Sequence, residues 1–338
     1  MYQFKFRGSY YEIGYEQGKM MRAGTLPGLE HTLKPPTKER ADFTDECEQI
    51  VQKYTPELLD EFRGVADGLD IDYDLAKVWP LALYSRLAMS CSVAVVSGQY
   101  TANGNPLIVR NYDYLAEDQA SFTAFWTVPT NRLASIGFCD FFGSRYGGVN
   151  EKNLAIAISS SPYIRGTQPG YAMSLAPRVV LDNFSTTQEA IDFLTKIPHF
   201  HGFSFLVCDK DANIARVETC PEKVSVLHFN NGLGLSTNHY YTEEMQEYQD
   251  PAWFGTSLKR YQNIEDWFNN RQRPLDIEDA KFLTSNHEQG VCDHFVEGAE
   301  GGTIWSWIYS LGEKELLVSH GPPCTNPYKK IPFSFDFS

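Results

Sequence analysis

Before residue 90 the apolar positions recur at helical spacing. Leu58, Phe62, Val65, Ala66 and Leu69 line one face of a helix begun by Thr55-Pro56, with proline at the first position, where a missing N–H costs nothing. Ser9 and Glu12 make a capping-box pattern, and Gly14 and Gly18, four apart, share a face that another backbone could approach closely. The first ninety residues therefore read as helical. At Cys91 the period shortens. Residues 92–97 and 107–112 are strand-like, with Asn103-Gly104 between them as a hairpin signal. Further strands are expected at 122–128, 154–160, 203–208, 214–218, 224–228, 303–309 and 315–319, and helices near 171–183, 187–196, 257–270 and 276–285. Many antiparallel strands with a few helices indicate a layered α+β domain.

A chain of 338 residues, 42% hydrophobic and 14% aromatic, can bury a large core. The 43 acidic against 29 basic side chains leave a net charge of -14, which opposes binding to nucleic acid or anionic lipid. Residues 1–7 lead into polar and glycine positions, not into the apolar run of a secretory signal, and the longest uncharged stretch is too polar to span a bilayer. Seven widely spaced cysteines, odd in number and without a Cys-x-x-Cys pair, favour free thiols in a reducing cytoplasm.

Cys91 carries the chemistry of interest. A thiol attacks carbonyls as thiolate and needs a base to reach that form. An amino-terminal cysteine carries its own base, because a free α-amine titrates at about 7.7–8.0 whereas the same nitrogen in a peptide bond is not basic. Cleavage between Ser90 and Cys91, where a helical leader meets a hairpin strand, would release that amine. Taken alone, Cys91 would be a buried strand cysteine.

Its surroundings change this reading. Cys91-Ser92, a hairpin, then Arg110-Asn111-Tyr112-Asp113 resembles the nucleophile hairpin of the amino-terminal nucleophile (Ntn) hydrolases, in particular the isopenicillin N acyltransferase and choloylglycine hydrolase families. Gly8 to Gly18 is similar to the leader of the acyltransferase branch, and Gly321-Pro322-Pro323-Cys324-Thr325-Asn326-Pro327-Tyr328 to its carboxy-terminal signature. Gly148 to Ala157 resembles a strand motif shared with the choloylglycine branch, and Ser236-Thr237-Asn238-His239 the motif that supplies an oxyanion asparagine. The matches follow the family order along nearly the whole chain.

The resemblance implies a four-layer αββα sandwich, with residues 1–90 as a helical leader or pro-segment and 91–338 as the catalytic domain. It implies Cys91 as nucleophile and its amine as base, Asp113 holding the amine, Arg110 against the nucleophile and Asn238 donating to the oxyanion. Ser160 and His239 are further oxyanion or substrate-binding candidates. Residues three apart on a regular strand face opposite ways, so Arg110 and Asp113 would both reach Cys91 only if the strand ends or bulges near Tyr112. The sequence departs from the family at Asn153, where many relatives have glycine, and at Ser160, where the choloylglycine branch has asparagine.

The activity implied is attack by Cys91 on the linear amide of a small N-acyl compound through a thioester. Transfer of the acyl group to an amine is the alternative, and an unprocessed Ntn-like protein that only binds ligand is the reading from another class. No cofactor or metal is expected, and self-association is left open. His199 with His201 and Cys292 with His294 are i, i+2 pairs that could ligate zinc, but packing is the favoured reading because nothing in the sequence makes the pairs neighbours. The loop Gly143 to Gly148 reads as a plain turn.

Overall fold

The computed structural model describes residues 1–27, 32–82, 90–250, 256–288, 291–296 and 299–336; the last part of the expected leader, 83–89, lies outside them. The chain does not begin with a helix. Strand β1 (Tyr2–Gly8) runs parallel to residues Thr123–Pro129 and pairs with them along its whole length. Phe4 and Phe6 turn inward while Gln3, Lys5 and Arg7 face solvent, a period of two in a stretch too short to compete with helical spacing downstream.

Among the described residues the helices α1 (Tyr10–Arg22), α2 (Lys38–Tyr54), α3 (Glu57–Leu69) and the short α4 (Tyr73–Ala76) and α5 (Val78–Ala82) follow. The Ser9/Glu12 capping box starts α1 as expected. Gly14 and Gly18 of α1 interlock with Gly64 and Gly68 of α3 so closely that a Cβ on Gly14 would overlap the Glu61 carbonyl, and one on Gly64 the Tyr11 carbonyl. The spacing of Gly14 and Gly18 therefore serves a backbone-to-backbone crossing.

From Ser90 the chain is dominated by strands: β2 (Ser90–Val96), β3 (Leu107–Leu115), β4 (Thr123–Pro129), β5 (Ser135–Cys139), β6 (Gly147–Asn150) and β7 (Ala155–Ser160). Helices α6 (Leu175–Asn183) and α7 (Thr187–Lys196) precede β8 (Phe203–Cys208), β9 (Ile214–Thr219), β10 (Val224–His228) and β11 (Leu233–Ser236). Helices α8 (Ser257–Asn269) and α9 (Ile277–Ser285) precede β12 (Phe295–Val296), β13 (Ala299–Ser310), β14 (Glu315–His320) and β15 (Lys329–Ile331). One sheet has the order β1-β4-β5-β6-β7-β8-β9-β10, and the other β11-β2-β3-β13-β14-β15 with β12 beside β13. Helices α6 and α7 pack on the first sheet, and α8 and α9 on the second. Cys91, Val93 and Val95 enter the main core, which the first sheet shares, while Ala94 and Val96 pack with α8 and α9. This is the expected four-layer αββα arrangement.

The described residues up to 82 share that core. Phe6, Tyr10, Ile13, Leu58 and Phe62 belong to the same buried cluster as Phe125 and Phe142. A buried ionic group ties them in further: Arg178 of α6 binds Glu61 at 2.9 Å and Asp182 at 2.6 Å, and Tyr10 donates to Asp182 at 2.8 Å. Asn153, at the family's glycine position, has φ 61°, the left-handed conformation that asparagine tolerates best after glycine. No helix among the described residues is long and apolar enough to cross a membrane.

Candidate active site

The β2–β3 hairpin sets out the site by alternation. Its register opposes Cys91 to Tyr112, Ser90 to Asp113 and Val93 to Arg110. Cys91, Arg110 and Tyr112 thus share the face toward the first sheet. Arg110 directs Nη2 to the Cys91 sulfur at 3.6 Å and Nη1 to the Tyr146 carbonyl at 2.7 Å. Its guanidinium lies over the rings of Tyr112 and Trp305, which stack with centroids 4.6 Å apart. The aromatic bed fixes the cation without neutralising it. Cys91 is fully buried; burial pushes its thiol pKa up and the Arg110 charge works against that rise. Of the expected Gly143 to Gly148 turn, Gly147 and Gly148 belong to β6, and the residues before them supply the Tyr146 carbonyl.

Asn238 continues the line of β11. That strand pairs with β2 from Leu233↔Val96 to Ser236↔Val93, and two residues further on the Asn238 side chain takes over from the backbone. The Cys91 N–H donates to Asn238 Oδ1 at 2.8 Å, while Asn238 Nδ2 donates to the Ser160 carbonyl at 3.0 Å and to Ser160 Oγ at 3.1 Å. These partners fix the amide orientation, since an N–H only donates and a carbonyl only accepts. Arg260 of α8 completes the enclosure: Nη1 donates to the Cys91 carbonyl at 2.6 Å and to Ser92 Oγ at 2.8 Å, and Nη2 to Asn238 Oδ1 at 2.9 Å.

His239 lies behind this arrangement. Its Nδ1 meets Ser257 Oγ at 2.8 Å, and Ser257 Oγ also accepts from the Asn238 backbone N–H at 2.8 Å. Burial, then the charge of Arg216, lowers the His239 pKa to about 4, so the ring is neutral near pH 7. Below it, the buried pair Arg216 and Glu218 on β9 anchors the same turn through the Leu235 and His239 carbonyls and the Tyr241 and Thr242 N–H groups.

Asp113 obeys the alternation rule and faces away from Arg110, toward α8 and β13. Its Oδ1 accepts from Thr303 Oγ1 at 2.6 Å, and the register of β13 against β3 shifts between Thr303 and Trp305, beside Asp113 and Tyr112. The irregularity expected near Tyr112 therefore lies on the partner strand. Oδ2 has no hydrogen-bond partner among the described residues. Burial pushes the Asp113 pKa up to about 7, opposed by Arg260 and the Thr303 hydrogen bond.

Residues 100–323 match the family model described as acyl-coenzyme A:6-aminopenicillanic acid acyl-transferase. The chain belongs to that family. Similar solved structures include penicillin V acylase from Agrobacterium tumefaciens, 16% identical over 72% of this chain and 86% of that one, with a TM-score of 0.47. The N-acylethanolamine-hydrolyzing acid amidase ortholog of Caenorhabditis elegans is 14% identical over 72% and 100%, with a TM-score of 0.48. A mutant of conjugated bile acid hydrolase from Clostridium perfringens is 13% identical over 74% and 98%, with a TM-score of 0.39. No curated protein matches the sequence. The chain is an enzyme of an acyl-transferring family.

In this acyl-transferase family member Cys91, Arg110, Asn238 and Ser160 come together, with Asp113 across the strand from Ser90. His239 supports Asn238 from behind. Sequence reasoning missed Arg260, although a signal was present: α8 buries Ser257, Arg260, Ile264 and Phe268, so a cation sits on an otherwise largely apolar stripe. It also missed the Arg216–Glu218 pair, an i, i+2 repeat of charges on a buried strand. His199 and His201 bond to the Leu194 and Gly202 carbonyls, respectively.

A raised carboxyl pKa has a thermodynamic sign. The folded chain binds the Asp113 proton more tightly than the unfolded chain, so this group's stabilisation is present below pH 3.8 and lost as pH rises through about 7. In a Cys91→Ala background, melting temperature should fall more steeply over that window with Asp113 than with Asp113→Asn. Parallel pH profiles for the two proteins would contradict the assignment.

Proposed function

We propose that the protein is a self-processing cysteine amidohydrolase acting on a linear amide of a small N-acyl compound. The observation that carries the reading is the enclosure of the Ser90–Cys91 junction: the Cys91 thiol, N–H and carbonyl each have a buried polar partner, in Arg110, Asn238 and Arg260 respectively. Cys91 Sγ attacks the Ser90 carbonyl, the Ser90–Cys91 C–N bond breaks, and the acyl group passes to sulfur while the nitrogen leaves as an amine. Water then cleaves the thioester, separating the leader (1–90) from the catalytic domain (91–338). Asp113 Oδ2 is the acceptor for the new amine, which in turn takes the thiol proton when a substrate amide arrives. Asn238 Nδ2, released from Ser160, donates to the oxyanion. The leaving amine takes a proton from the α-ammonium, and water completes hydrolysis.

The family description favours a second reading, in which a bound amine replaces water as acceptor. The deciding experiment incubates processed protein with N-acyl amino acids, acyl amines and acyl-coenzyme A thioesters, with and without added amine, and follows products by mass spectrometry. Free acid from at least one simple amide is expected, with most of the acyl group undiverted by amine. Mainly amide exchange would replace hydrolysis by transfer, because a positioned acceptor outcompetes water through its effective molarity. No acylation of Cys91 by any member would favour a ligand-binding protein.

A further inference from the structure

We propose that His287, Cys292, His294 and Cys324 form a structural zinc site that staples the loop after α9 to the carboxy-terminal turn. The ligand atoms of these four side chains all lie within 4.8 Å of one another. His294 Nε2 approaches Cys324 Sγ at 3.2 Å, and the His287 and His294 rings have centroids 4.8 Å apart. Tetrahedral zinc, with Zn–S about 2.3 Å and Zn–N about 2.0 Å, sets neighbouring donors roughly 3.3–3.8 Å apart, so only a small contraction is needed. Two thiols and two imidazoles are a donor set suited to zinc, and binding would release the two thiol protons to solvent.

The surroundings support ligation independently. His287 Nδ1 lies 3.0 Å from the Cys292 carbonyl. A carbonyl only accepts, so Nδ1 carries the proton and Nε2 keeps the lone pair that a metal takes. Metal-binding histidines are commonly oriented through their other ring N–H in this way. Both ends of the cluster are held by the backbone. Val291 N–H donates to the Leu283 carbonyl at 3.2 Å and Cys292 N–H to the Asn286 carbonyl at 3.3 Å, while the turn bearing Cys324 is closed by Thr325 and Asn326 N–H groups on the Pro322 carbonyl. Nothing in the sequence makes Cys292 and His294 neighbours of His199 and His201, and the fold gives them other partners, His287 and Cys324.

Four protein ligands leave no open position for water, so the metal is structural and takes no part in acyl chemistry. Its consequence for the site is positional. Asp293, between two ligands, donates its N–H to Thr303 Oγ1 at 3.0 Å and accepts from Thr303 N–H at 2.7 Å, and Thr303 in turn donates to Asp113. The zinc would hold the loop that aims Asp113.

The test uses the protein expressed as the whole chain, purified without an immobilised-metal column and assayed by elemental mass spectrometry. About one zinc per chain is expected, falling at least about 10-fold in His294→Ala and Cys324→Ser. His287→Ala, at an exposed position, guards against misfolding: it should keep the wild-type circular dichroism spectrum yet lose zinc. Cobalt replacement should give thiolate charge-transfer and tetrahedral ligand-field bands that Cys324→Ser removes. Zinc-free protein after zinc supplementation, with the thiols of Cys292 and Cys324 freely alkylated, would overturn the proposal. A Cys292–Cys324 disulfide, seen as a chain lighter by two hydrogens with both thiols unreactive, would do the same.

Discussion

Replacing Cys91 with alanine is expected to leave the 338-residue chain uncut and without amide-cleaving activity, whereas the native protein is expected to separate into fragments 1–90 and 91–338 under denaturing conditions. The effect should be total, because in the proposed mechanism one thiol serves both the cleavage of its own peptide bond and the later attack on substrate. Under native conditions the two fragments should migrate together. β1 is hydrogen-bonded into the first sheet, the glycine crossing locks α3 to α1, and Glu61 is a buried partner of Arg178. Dissociation would strand Arg178 and Asp182 without Glu61 and Tyr10, and breaking a buried ionic group typically costs about 3–5 kcal/mol. Intact mass and gel filtration read the two parts separately. A fully active preparation containing only the uncut chain would remove the amine base from the mechanism, and dissociation of the fragments on gel filtration would contradict the packing argument.

Asn238→Ala should lower turnover by about 10²–10³-fold, the effect of losing one oxyanion donor, with a much smaller change in KM. Its side chain also accepts from the Cys91 N–H and from Arg260, so self-cleavage should slow as well. Asn238→Asp separates these roles: it keeps an oxygen for both donors and removes the amide N–H. Loss of turnover in both variants with cleavage retained in the aspartate variant supports the donor role in catalysis. Unchanged turnover at saturating substrate in Asn238→Ala would exclude it. Melting temperatures measured alongside distinguish a damaged fold from a missing donor.

Much of the architecture was legible from the order of residues. The strands expected at 203–208 and 224–228 and the helix expected at 187–196 are present, the helix opened by a capping box of Thr186 and Glu189. The motif around Cys91 was legible for a similar reason, since a hairpin brings residues close in sequence close in space. The short strands β5, β6, β11, β12 and β15 were not legible, nor was β1, whose period of two spans only Tyr2 to Gly8 and whose partner lies more than a hundred residues away.

By itself, then, the sequence determined the local elements, the hairpin carrying Cys91, and the residues that repeat the family motifs in order. Tertiary structure alone decided which distant groups surround them. Arg260 reaches Cys91 because α8 packs across β2, and Asp113 meets Thr303 because β13 pairs with β3. Cys324 joins His287, Cys292 and His294 because the turn after β14 comes beside the loop after α9. The physical reason is one of range. Periodicity and capping act over a few residues, whereas long-range pairings are selected by the burial of whole faces, and no short stretch of sequence contains both partners.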